Sequence, residues 1–423
     1  MTWPIALVAI LSVLPSNQQP QPADLRTEIR SLVQQLDANR FAVRKAARES
    51  LMEIGPRALP FLIEPDNASV QLRLELEQVR ERLRNQRSVR SLDPSRVTLD
   101  GTLTVDQVAA QLTKLTGNPV SVARLSSNVR GQSIAVRFRK TLFWDAISQL
   151  SEQLSCGISM ADGKVHFEPQ SEGKQRSIAG SNLVRLRQLE RKQMIGRSDV
   201  SLLRIPLSFT TEPRLRGLFL TAAGTRTTVK SGSGLVLTGF SPDRTLELPI
   251  GGRGEEVSWK HDVIVPANQS HKTLKIDGDF EVLMAAGYET FEFENLATAK
   301  RRRQSRTGVD LMINDVELDN ERGNLSLTMT VNWKRSIGAF DSYRTWQFHN
   351  EAWLRSPNGK RFDFSGPLRT DGQAGGGVRL TYQFKGVPAN LNECVFIYEA
   401  PTALKSVRVP FRFDAVPVAG NPE

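Results

Sequence analysis

Cysteine is nearly absent, with Cys156 and Cys394 the only two in 423 residues. A disulfide scaffold needs several cysteines and a thiolate metal cage needs a cluster, so both are excluded. Each thiol is expected to serve as a small buried hydrophobe. Histidine is scarce as well. Its four residues, His166, His261, His271 and His349, never fall in a His-Glu-x-x-His or comparable metal spacing. No Gly-x-Ser-x-Gly elbow occurs, and the glycine-rich stretch 231–234 lacks the Lys-Ser/Thr that cradles phosphates. Neither an enzyme activity nor a cofactor or metal is therefore expected, although a triad assembled from distant residues would leave no such signature.

Long apolar runs are missing too. Nothing approaches the roughly 20 residues that span a bilayer, so no transmembrane helix is expected. The apolar run 5–14 is short enough for the core of a secretory signal. No Lys or Arg precedes it, and no clear small-x-small cleavage site follows before Asp24. Residues 1–23 are read as a cleaved signal or a disordered start, which places the chain in the periplasm or cell envelope.

Charge of one sign is not concentrated anywhere. The net charge is +11, but acidic and basic residues interleave throughout, whereas a nucleic-acid face gathers its cations on one element. A nucleic-acid partner is the third reading, resting on net charge alone. One local cluster stands out, Arg301, Arg302 and Arg303 with Arg306, in an expected loop. It is either solvated or suited to an anionic surface such as lipid headgroups or polysaccharide.

Residues 24–86 carry a helical period. Val43, Ala47, Leu51 and Ile54 share one face, Gly55-Pro56 ends that helix, and Leu72, Leu76, Val79 and Leu83 form another stripe. The run Asn-Arg-Phe-Ala-Val-Arg-Lys-Ala-Ala-Arg at 39–48, with Leu-Pro-Phe-Leu at 59–62, resembles a HEAT-type repeat of the kind common in planctomycete envelope proteins. Stacked repeats need about three copies to bury a core. A single unit should therefore dock on a neighbouring domain, dimerise or bind a partner. The polar, basic stretch 86–96 reads as a linker, and 170–180 as a second one.

Between them, 97–169 reads as a small domain of order β-α-β-β-α-β-β. Thr104 and Gln107 make a capping box; Val105, Val108, Ala109, Leu112 and Leu115 share a helix face; Gly117 stops the helix. Ile134, Val136 and Phe138 alternate along a strand. Thr141 opens a second helix with Phe143, Ile147, Leu150 and Leu154 on its buried face, and the Asp162-Gly163 turn joins the last two strands. The segments Thr-Val-Asp-Gln-Val-Ala-Ala-Gln-Leu at 104–112, Ile-Ala-Val-Arg-Phe at 134–138 and Phe-Trp-Asp-Ala-Ile-Ser-Gln-Leu at 143–150 resemble the short N-terminal domain of secretins and TonB-dependent transducers. The resemblance covers under a fifth of the chain. It implies a periplasmic protein-docking module without catalytic residues, whose partner would be another envelope protein.

Beyond Ser181 the period becomes two and turn signals are dense. Two immunoglobulin-like β-sandwiches are expected, at 181–285 and 286–415, with the strand 407–413 in the second. The fold class is thus multidomain α+β: an N-terminal helical HEAT-like unit, a small βαββαββ domain, then two sandwiches.

Carboxylates at Asp277, Asp279 and Glu281, and at Asp315, Glu317, Asp319 and Glu321, alternate along strands. They fall short of the six to eight oxygens calcium takes, and read as solvated faces. In the aromatic run 340–353, strand alternation puts Trp346, Phe348, Ala352 and Leu354 on the core face, and His349, Glu351, Trp353 and Arg355 on the other. A tryptophan among polar groups stacks on a sugar ring, anchors a protein partner, or is covered by a neighbouring domain. Trp353, with His349 and Arg355, is therefore the candidate binding patch. The function expected is protein docking or scaffolding in the envelope, with carbohydrate binding at the cell surface as the alternative.

Overall fold

A computed structural model describes residues 22–169, 175–251, 256–266, 269, 271–333, 350–365, 369–374 and 377–418. It is a multidomain α+β protein, predominantly strand. The chain divides into two compact units, Met1–Arg87 and Ser88–Glu423.

The first unit is helical: α1 Pro22–Gln35, α2 Phe41–Ile54, a tight 3₁₀ segment Gly55–Phe61, and α3 Val70–Arg90. Ile29, Leu36, Ala47, Leu51, Leu76, Val79 and Leu83 are fully excluded from solvent and share one core. Gly55 ends α2 at φ 74°, where its N–H donates to Leu51 O. A bidentate ion pair, Arg48 to Glu75 at 2.7 Å, ties α2 to α3. Phe41, Ile63, Val70 and Leu74 remain exposed.

The stretch 86–96, read as a linker, does contain the boundary between the two units at 87/88, but it carries regular structure at both ends. Helix α3 continues to Arg90, Leu92 is buried in the first β core, and Arg96 already begins a strand.

Next come β1 Arg96–Thr104, α4 Val105–Thr116, β2 Val120–Ser121, the short α5 Ser127–Gly131, β3 Ser133–Leu142, α6 Phe143–Gln153, β4 Gly157–Ala161 and β5 Lys164–Glu168. Strands β1 and β3 pair antiparallel as a two-stranded ribbon; β5 pairs parallel with β2 and antiparallel with β4. The Thr104–Gln107 capping box forms, and Gly117 closes α4 at φ 70°. Leu115, expected on the buried face, is 48% exposed, because the last turn of α4 rotates it off the core. Thr141 does not cap α6; its hydroxyl accepts from Arg139 N, and the helix starts at Phe143.

The remainder is β6 Arg176–Ala179, β7 Asn182–Leu186, β8 Glu190–Met194, β9 Arg197–Thr211, β10 Arg216–Ala223, β11 Thr227–Ser231, β12 Val236–Gly239, β13 Thr245–Pro249, β14 Val257–Pro266 and β15 Thr273–Phe293. It continues with β16 Arg303–Arg306, β17 Val309–Asp319, β18 Asn324–Trp333, β19 Ala352–Arg355, β20 Arg361–Asp363, β21 Arg369–Ala374, β22 Gly377–Phe384 and β23 Val395–Pro417. The second expected linker, 170–180, therefore contains β6. One sheet runs β20-β19-β23-β15-β11-β12-β14-β9-β7-β6, with β10 and its partner β13 also attached to β15. The other runs β16-β17-β18-β22-β21.

Two hydrophobic cores result, and the antiparallel ribbon β15–β23 belongs to both. Ile276, Phe280 and Val282 of β15 lie with Val409, Phe411 and Phe413 in the first. Phe291 and Phe293 lie with Phe396 and Tyr398 in the second. The expected boundary at 285/286 thus falls inside one strand, and 407–413 serves the first core rather than the second. Alternation of period two simply continues through β15 without a turn signal. The ribbon leaves regular geometry at Ala403, φ 49°, between the 285–404 and 287–402 pairs, where it passes from one core to the other. Phe280 centres the first core, edge-on to Phe209 at 5.2 Å and to Trp259 at 5.0 Å. Cys156 and Cys394 are both buried and free, and burial pushes both thiols up.

Candidate docking surface

Trp353 stands on β19, half-buried, between Ile397 of β23 and Asp363 of β20. The Arg361 guanidinium sits 4.3 Å from its ring centroid and is held there by Asp363 at 2.6 Å and Glu351 at 3.6 Å. One face of the indole is therefore occupied by the chain's own cation. Arg355 pairs with Glu292 at 3.0 Å. His349 and the two aromatics Trp346 and Phe348 lie outside the described residues.

The arginine run is engaged with the chain itself. β10 and β11 pair with β15 only as far as Ala285, so the edge of β15 beyond that point has no strand beside it among the described residues. Side chains from the arginine run take the place of a strand. Arg302 donates to Glu294 O at 2.7 Å, Gln304 to Glu292 O at 2.6 Å and Arg306 to Thr290 O at 3.2 Å. Alternate donors meet alternate carbonyls, as the pleat requires. Arg303 turns the other way, to the nearly buried Asp310 at 2.6 Å. The Arg301 N–H donates to Ile313 O at 2.7 Å from a left-handed backbone, φ 66°. Arg355 approaches the same end of β15 from across β23, so this patch and the arginine run converge on Glu292. Unpaired carbonyls at a strand edge could not be foreseen from sequence, because they depend on where β10 stops.

Part of each acidic stretch is likewise matched. Arg226 contacts Glu281 at 2.9 Å and Asp279 at 3.3 Å, Arg408 also binds Asp279, and Lys300 pairs with Asp315 at 2.9 Å, which holds that carboxyl below its ordinary range. Among the described residues no group of three His, Cys, Asp or Glu side chains could hold a metal ion.

The αβ segment β1–β5 is fixed to the β region by a polar hub that was not among the expected sites. Glu212, at the end of β9, is fully buried. Its carboxylate accepts from Ser95 N at 2.8 Å, Ser95 Oγ at 2.6 Å, Asn118 Nδ2 at 3.0 Å and Arg214 Nε at 2.7 Å. Arg214 also donates to the carbonyls of Ser91 and Asp93. A buried carboxylate is tolerated only with such a complement of donors, and removing one partner of a buried pair costs about 3–5 kcal/mol. Trp144 of α6 donates from Nε1 to Ser181 O at 3.0 Å, and Leu183 of β7 lies in the αβ core. The one sequence signal was an acid ending an apolar strand just before Pro213.

The β1–β3 ribbon has no third strand beside it among the described residues. Among the described residues β3 pairs with β1 alone, burying Ile134, Val136 and Phe138 while Ser133, Ala135, Arg137 and Arg139 stay exposed. Ala135 O accepts from Gln153 Nε2 at 3.4 Å, so it points away from β1. In an antiparallel ladder a residue's N–H and C=O lie on the same side. The Ala135 N–H is therefore directed to the outer edge. On β5, both ring nitrogens of His166 are buried without a hydrogen-bond partner.

No known protein family and no curated protein matches this chain. Among solved structures, a match described as the conserved domain protein from Bacillus anthracis covers 58% of this chain and 90% of that one, at 9% identity and a TM-score of 0.18. A likeness of that size carries no argument.

Proposed function

We propose that the chain is a non-enzymatic docking or scaffold protein of the cell envelope, with 97–169 as a docking module like the short N-terminal domain of secretins and TonB-dependent transducers. In this reading 24–86 is a HEAT-like unit, and the β region is a rigid pair of sandwich-like bodies that carries the module. The observation that supports it is the β1–β3 ribbon, whose outer edge at Ala135 directs a backbone N–H to an incoming strand, its carbonyl being taken by Gln153. Strand addition draws affinity from main-chain hydrogen bonds and specificity from alternate side chains.

The test is co-purification of the full chain from fractionated cells, with Ala135→Pro and Arg137→Glu compared against the unmodified chain. Proline removes one outer-edge donor and spares the ladder to β1. Arg137→Glu reverses an exposed charge and removes no backbone donor. Recovery with the envelope fraction, with one discrete partner lost in both variants, is the expected result. A chain confined to the cytoplasmic fraction, or a partner retained by both variants, would overturn the reading.

A further inference from the structure

The first β core carries a groove of about 830 Å³. Leu246 and Leu248 of β13, Leu207 of β9 and Trp259 of β14 supply its apolar lining. Two strands that line it each have an edge with no strand beside it among the described residues. β13 pairs with β10 alone. β14 pairs with β9 along its length, but β12 reaches it only at Val263 and Ile264, which leaves one side of 257–261 open.

The charge of the groove is one-sided once internal pairs are removed. Arg204 is neutralised by Asp262 in a bidentate pair at 3.0 Å, and Glu190 by Lys192 at 3.3 Å. Arg187 has only a 3.5 Å contact with Glu256, whose carboxylate is held more closely by Arg185. Arg244 and Lys260 are exposed, and neither has an ion pair among the described residues. Three cations thus surround an apolar floor beside free strand edges.

We infer that this groove binds an extended peptide in which apolar residues alternate with carboxylates, added as a strand to the open edge of β14. The free edge spans five residues, about 17 Å at strand spacing. Alternation sends one set of side chains to Leu246, Leu248 and Trp259 and the other toward Arg187, Arg244 and Lys260. An anionic polysaccharide would satisfy the cations but has no donor and acceptor series at the strand repeat. The site is separate from the β3 edge, so each can fail alone.

Fluorescence anisotropy of the full chain tests this with labelled Val-Glu-Val-Glu-Val-Glu. Its backbone N-methylated form, hexaglutamate and polygalacturonate are the comparison probes. The expected result is saturable binding below about 1 mM, weakened about tenfold or more by N-methylation and by Arg244→Glu with Lys260→Glu. Both substituted residues are exposed, and circular dichroism of the double variant verifies that it folds. No binding up to that concentration overturns the proposal. So does equal binding of the N-methylated peptide, hexaglutamate or polygalacturonate, since that reports charge without strand pairing.

Discussion

The two β cores share one ribbon and treat their strand edges in opposite ways. In the second core, the edge of β15 beyond Ala285 is closed by the chain's own side chains, Arg302, Gln304 and Arg306 on three successive alternate carbonyls. In the first core, one side of 257–261 in β14 and the outer side of β13 have no strand beside them among the described residues and flank a groove. An exposed edge invites pairing with another chain, and proteins cover such edges unless pairing is wanted. In the reading proposed above, the arginines of the run protect an edge and the open edges are where a partner strand would add.

The largest effect should come from the ribbon itself. Phe293→Ala removes a fully buried ring and should cost about 3–5 kcal/mol. Because β15 and β23 serve both cores, the denaturant transitions of both should move together. Amide exchange followed at Phe280 and at Phe293 distinguishes this from two independently unfolding bodies.

An intermediate effect is expected from replacing Arg302, Gln304 and Arg306 together by alanine. Leaving those carbonyls to solvent should cost about 1–2 kcal/mol in all, since the donors are exposed. Faster exchange at 290–294 and concentration-dependent self-association, read by sedimentation, should accompany it. Unchanged association would mean that the capped edge needs no protection.

The smallest effect concerns His261, beside the groove residues Lys260 and Asp262. Burial holds its pKa below the ordinary 6.5, and Asp262 opposes that only in part. Its neutral form is favoured in the folded chain, so its contribution is complete above pH 6.5 and is lost as pH falls through the depressed value. Stability should decline over that acidic window, and His261→Gln should flatten the profile in pH-dependent chemical denaturation.

What could be read from sequence was local. The Thr104–Gln107 box, the Gly117 stop and the apolar face Val105, Val108, Ala109 and Leu112 each depend on residues within a few turns of one another. Ala47 and Leu51 of α2 and Leu72, Leu76, Val79 and Leu83 of α3 followed from the same period, whereas Val43 is only half-buried and outside that core. The site was far less legible. Glu212 meets Ser95 and Asn118 across about a hundred residues of chain, and nothing in a linear pattern joins them. The β15 edge depends on where a neighbouring strand ends, and the arginine run looked like a free basic surface for that reason. Trp353 stands among polar groups, and Arg361, eight residues on, covers one face of it.

Site-specific photocrosslinking in cells tests the central claim most directly, with benzoylphenylalanine placed in turn at Arg137 on β3, Lys260 on β14 and Gln304 on the capped side of β15. The account predicts discrete adducts at Arg137 and Lys260 and none at Gln304. Adducts at Gln304 with none at the two open edges would contradict it.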